Sequence, residues 1–153
     1  MYRSYHLNIV QQPQRTAEFG SARLSRLPIT PPIIAQLTVR DPSGNSIIPC
    51  VTRSHACWRW FTCKPTLTSS LRDGELPFLI AHLSLYSGDG TQRLDMGSFP
   101  RQQIPILYGS LATTVQQLRD LDGDQGLFFV FPDVSIKTAG RYRLGVTLCR
   151  ISR

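Results

Sequence analysis

Lysine is nearly missing from this 153-residue chain: Lys64 and Lys137 are the only two, and fifteen arginines supply the rest of the 17 basic residues. Arginine's planar guanidinium suits forked contacts with phosphate or carboxylate, where lysine acts as a point charge. No apolar run approaches the ~18 residues that a membrane-spanning helix needs, so a membrane role is not expected. The first residues, Met1-Tyr-Arg-Ser-Tyr-His6, lack the apolar centre of a secretory signal. No Asn-x-Ser/Thr acceptor occurs, and four cysteines fall well below the density of a disulfide scaffold. These absences predict a soluble intracellular protein. Enzyme signatures are missing too: no nucleophile elbow, no phosphate-cradling glycine loop and no paired Glu/His helix motif. No enzymatic activity and no cofactor are expected.

What is present is positive charge, unevenly placed. The chain carries +7 overall with a pI near 9.8. Residues 1–39 hold +3 and residues 40–72 hold +4, whereas 73–135 hold −5 and 136–153 hold +5 with no acid at all. Such ends suit a polyanionic partner if folding gathers them on one face, and they equally suit neutralising the acidic middle.

The hydrophobic periodicity is that of strands. Tyr5, Leu7 and Ile9 alternate with His6, Asn8 and Val10; Ile33, Ala35, Leu37 and Val39 repeat the pattern. Leu79, Ala81, Leu83 and Leu85 share a face up to the turn Ser87-Gly-Asp-Gly90. Residues 127–131 form a continuous apolar run short enough for a fully buried strand. Over 141–148, Tyr142, Leu144, Val146 and Leu148 face inward, with Arg141 and Arg143 outward. One short helix is predicted over 113–121, where Val115, Leu118 and Leu121 keep a three-residue spacing. Turn-rich strands with little helix indicate an antiparallel sandwich or barrel. Residues 11–32 form a long loop, and residues 45–76 show no clear period.

Two clusters invite a metal reading and fail it on spacing. Cys50, His55, Cys57 and Cys63 contain no C-x-x-C and no H-x-x-x-H, so free cysteines are the better reading. Asp120, Asp122 and Asp124 open like a calcium loop. However, Gln125 stands where the sharp turn needs Gly, and Phe131 stands where the bidentate Glu belongs. No metal site is expected.

Read in order, several blocks look specific. They are Leu7-Asn-Ile-Val-Gln-Gln-Pro-Gln-Arg15, Pro28-Ile-Thr-Pro-Pro-Ile-Ile-Ala-Gln-Leu37 and Pro77-Phe-Leu-Ile-Ala-His-Leu-Ser-Leu85. Next come Tyr108-Gly-Ser-Leu111 and Leu118-Arg-Asp-Leu-Asp-Gly123. The series closes with Gln125-Gly-Leu-Phe-Phe-Val-Phe-Pro-Asp-Val-Ser135 and Thr138-Ala-Gly-Arg-Tyr-Arg-Leu144. Together they resemble the velvet domain of fungal developmental regulators.

The resemblance implies an immunoglobulin-like β-sandwich, similar to Rel-homology DNA-binding domains, as a single domain over 1–153. It implies a transcription regulator of development, sporulation and secondary metabolism in the nucleus, with or without shuttling to the cytoplasm. Homo- or heterodimers with other velvet proteins are expected. DNA contact is implied for basic residues of the first long loop, here 14–27, which assigns Arg15, Arg23 and Arg26. The alternative is a velvet protein that dimerises and scaffolds without touching DNA. Two departures stand out. Residues 45–76 have no counterpart in the pattern, and the usual Pro-Gly, Glu-Ser-Thr and final basic strand are absent, so the domain reads as truncated. An exposed edge, with self-association or a need for a partner, is the expectation. The double-sided apolar strand at Phe128–Phe131 is likewise expected to need a cover, for which 113–121 is the candidate.

Overall fold

The computed structural model describes residues 3–21, 26–47, 78–95 and 105–151. Ten strands are present among them: β1 (Ser4–Gln11), β2 (Ile33–Arg40), β3 (Ser46–Ile47), β4 (Leu79–Ser87), β5 (Leu107–Gly109), β6 (Ala112–Thr114), β7 (Gln116–Arg119), β8 (Gln125–Phe131), β9 (Val134–Ile136) and β10 (Tyr142–Arg150). One sheet runs β1-β2-β8-β7, with β3 also on β2; a second runs β10-β4-β6; β5 and β9 form a small third. All pairings are antiparallel. This is the all-β sandwich the resemblance implied.

Strict alternation builds the core. Ile33, Ala35, Leu37 and Val39 of β2 point inward beside Leu127, Phe129 and Phe131 of β8. Leu79, Ala81, Leu83 and Leu85 of β4 belong to the same cluster, with Leu107, Val134 and Ile136 closing one end. Phe129 and Phe131 are fully buried, each stabilising the fold by about 1.5–3 kcal/mol through lost water contact. β10 completes the inner wall with Tyr142, Leu144, Val146 and Leu148, which are only half-buried.

Two expectations are corrected here, and Ile9 needs a third adjustment. Residues 113–121 form no helix. β6 pairs with β4 and β7 with β8, so the chain changes sheets at the half-buried Val115. Thr113, Thr114 and Val115 are β-branched and stiff, which weakens helix and favours strand. The expected apolar stripe is accordingly absent, because Leu118 is 41% exposed and Leu121 fully so. Phe128 needs no helix to shield it. Its ring lies along its own strand, so close that a Cβ on Gly126 would come within 2.7 Å of it, and Phe128 is buried with no helix over it among the described residues. Ile9, expected inside, stays in register opposite the inward Ala35 but is 38% exposed, because it lines an open hollow.

Tyr142 opens β10 with a hydroxyl that donates to the Thr138 carbonyl at 3.2 Å and lies 3.1 Å from the Thr138 hydroxyl. Its ring occupies the space a Cβ on Gly140 would need. Such a tyrosine, bonded back to the chain just upstream, is a corner device of immunoglobulin-type sandwiches.

Candidate nucleic-acid interface

The loop joining β1 to β2 is tied down at several points. Arg15 and Thr30 exchange backbone bonds, Arg15 N–H to Thr30 O at 3.0 Å and Thr30 N–H to Arg15 O at 2.9 Å. Phe19 is buried against Tyr108, edge to face, with ring centroids 5.1 Å apart. Glu18 accepts from the Ala139 N–H at 2.7 Å, and Gly20 N–H donates to Lys137 O at 2.9 Å. Ile29 N–H reaches the Val134 carbonyl at 2.7 Å. The described parts of this loop, 12–21 and 26–32, are therefore tied to the β9–β10 end of the sandwich. Ordered loops of this kind carry function on a rigid scaffold.

The three arginines assigned from the sequence have different surroundings. Arg15 is exposed beside its Thr30 bridge and lines a hollow of about 430 Å³ whose other walls include Arg141 and Tyr142. Arg26 is half-buried and places Nη2 3.0 and 3.2 Å from the two carboxylate oxygens of Asp133. Its charge already has a protein partner, though a solvent-accessible pair of this kind is worth only about 0–1 kcal/mol. Arg23 lies outside the described residues, as does the Cys50, His55, Cys57 and Cys63 cluster.

Arg141 joins the site although its sequence context assigns it no binding role: it stands in the block Thr138–Leu144 and as an outward residue of the last strand. The signal for charge there is its place in a tail of five basic residues without an acid. Two further charged groups are occupied locally, Arg93 and Asp120. The Arg93 guanidinium is gripped by Asp95, Nε to Oδ1 at 2.7 Å and Nη2 to Oδ2 at 2.7 Å, which raises its already high pKa. Asp120 accepts the Asp122 and Asp124 N–H groups at 3.0 and 2.9 Å, so it caps the tight turn between β7 and β8. That local bonding gives the Asp120 carboxylate a turn role.

The described residues thus offer one exposed arginine on a pinned loop segment, a second arginine on a carboxylate that phosphate could displace, and a third across a shared hollow. Phosphate contacts of this type position a protein on a duplex, while base contacts specify sequence.

A family model described as Velvet factor matches residues 5–98 and 89–153 of the chain. The chain is 31% identical over 151 residues to a sexual development regulator, VELC, of Pyricularia oryzae, covering 97% of this chain and 29% of that protein. It is 30% identical to a spore development regulator, umv1, of Mycosarcoma maydis, covering 94% of this chain and 20% of that one. It is 31% identical to a protein of Chaetomium globosum named as a component of the velvet complex, covering 94% and 26%. The chain therefore spans less than a third of the length of these relatives.

Proposed function

The chain belongs to the velvet factor family, and from that membership we propose that it is a regulator of fungal development that binds duplex DNA. Regulation of sporulation and secondary metabolism, residence in the nucleus, and action as a homo- or heterodimer with other velvet proteins are parts of the same reading. No catalytic step belongs to it. Relatives named as sexual and spore development regulators support the developmental role. A relative named for the velvet complex supports assembly with other chains.

The observation that carries the DNA reading is Arg15. The loop pins its backbone to Thr30 and leaves its guanidinium exposed, so the side chain reaches a phosphate without reordering the main chain. Arg26 joins by exchanging Asp133 for phosphate, and Arg23 belongs to the same loop. Binding to a labelled duplex, followed across a range of salt concentrations with each arginine replaced by Ala in turn, tests the reading.

One observation favours the second reading, a protein that dimerises without touching DNA. The Arg26–Asp133 pair neutralises one of the three assigned arginines. In that case the same titration gives no salt-dependent binding, while association with a velvet partner persists.

A further inference from the structure

Three consecutive residues of the β1–β2 loop each grip a different point of the sandwich. Glu18 accepts the Ala139 N–H at 2.7 Å, although its side chain is otherwise exposed. Phe19, 7% exposed, packs edge to face on Tyr108. Tyr108 stands on β5 opposite Ser135 of β9, so the seat of the Phe19 ring belongs to the sheet and not to the loop. Gly20, at a φ of +51°, donates its N–H to the Lys137 carbonyl at 2.9 Å. Only Thr16 and Ala17 separate this clasp from Arg15, whose backbone is bridged to Thr30. On the other side, Lys137 and Ala139 stand just before Arg141. The clasp therefore fastens together the two segments that line the hollow of about 430 Å³: Arg15 and Thr16 from the loop, Gly140 and Arg141 from the approach to β10.

We infer that Glu18, Phe19 and Gly20 set the spacing of Arg15 and Arg141 before DNA arrives, with Glu18 and Phe19 as positioning residues that touch no phosphate. The inference rests on the DNA reading above. Preordering strengthens binding because a loop already in place loses little backbone and side-chain freedom on contact. Two arginines held at a set spacing meet their phosphates together. On a freed loop, Arg15 has to be ordered at the moment of contact. Glu18 separates this device from plain electrostatics. Charge alone makes an acid beside Arg15 and Arg141 a hindrance to DNA, so its removal would strengthen binding. As the acceptor that holds the Ala139 N–H, it does the opposite: its loss frees the loop and weakens binding.

The test is duplex binding by the full chain, followed by fluorescence anisotropy across a range of salt concentrations. Phe19→Ala should bind about tenfold more weakly than the parent chain. Its salt slope should match the parent's, because the phosphates contacted are the same. Phe19→Leu, which keeps an apolar side chain against Tyr108, should recover most of the affinity. Glu18→Ala should bind about threefold more weakly. Glu18→Gln keeps an acceptor oxygen without the charge and should bind at least as tightly as the parent. Glu18 is exposed, so its two variants decide the matter even where Phe19→Ala fails to fold. The inference is overturned if Glu18→Ala tightens binding, or if Glu18→Ala and Glu18→Gln behave alike. It is also overturned if a folded Phe19→Ala keeps the parent's affinity or flattens the slope. Those outcomes leave the DNA reading standing. A parent chain that binds no duplex sinks that reading, and the positioning role with it.

Discussion

Arg26 and Asp133, 107 residues apart in sequence, meet with Nη2 3.0 Å from one carboxylate oxygen and 3.2 Å from the other. The contact ties the loop to the segment just after β8. It also sets a competition, because any phosphate that recruits Arg26 must displace Asp133. Asp133→Asn removes the competitor and keeps the size of the side chain. Duplex DNA affinity should rise by about threefold, in line with a partly exposed ion pair. Arg26→Ala should instead flatten the log–log salt slope by about 0.9. Anisotropy titrations of both variants at several salt concentrations decide the point; equal affinity in Asp133→Asn and the parent chain would remove Arg26 from the interface.

Gly109 has a φ of +110°, and a Cβ placed on it would lie 1.7 Å from the Asp133 carbonyl oxygen. That carbonyl accepts the Ser110 N–H at 2.8 Å, so it cannot simply move away. Gly109→Ala is expected to cost more than about 2 kcal/mol, combining strained backbone with a main-chain clash. For a domain of this size that lowers the Tm by about 5 °C or more. A calorimetric scan checks it, and an unchanged Tm would mean that β5 and β9 do not approach as described.

The corner at Tyr142 gives a milder expectation. Tyr142→Phe keeps the ring over Gly140 and loses the bonds to Thr138. Chemical denaturation should show a loss of about 1 kcal/mol with an unchanged m-value.

Asp89 offers a test by pH. It accepts hydrogen bonds from the hydroxyl of Ser87 and, at Thr91, from the hydroxyl at 2.8 Å and the N–H at 3.1 Å. With the Ser87 hydroxyl bond foremost, these hold its pKa down to about 2, from an ordinary 3.8. Because the folded value is depressed, the stabilisation is present above pH 3.8 and is lost as the pH falls toward 2. Carboxylate resonances followed by NMR should titrate near pH 2 in the parent chain and move upward in Ser87→Ala.

The sheets were legible in the sequence wherever side chains alternate. The inward faces of β2 and β4 are the residues the period-2 pattern named, and the apolar run at 127–131 is indeed a buried strand. The pattern failed at 113–121, where a chance three-residue spacing of Val115, Leu118 and Leu121 mimicked a helix. Tertiary pairing with β4 and β8 decided that segment, and no local signal encodes a change of sheet. Phe128 misled for another reason: a ring can lie over a neighbouring glycine on its own strand, which composition does not reveal. In the candidate site, the loop and Arg15 were readable from the family blocks. The Asp133 partner of Arg26 and the nearness of Arg141 to Arg15 were not, because both depend on how distant segments meet.

DNA contact through Arg15 and its loop neighbours is the proposal on which the functional reading turns. Its most direct test is the salt dependence of duplex binding by the parent chain and by Arg15→Ala. Three phosphate contacts predict a log–log slope of about −2.7, falling to about −1.8 without Arg15. A slope that Arg15→Ala leaves unchanged, or no binding at roughly 50 mM salt, would rule out DNA contact by this loop and leave dimerisation without DNA contact in its place.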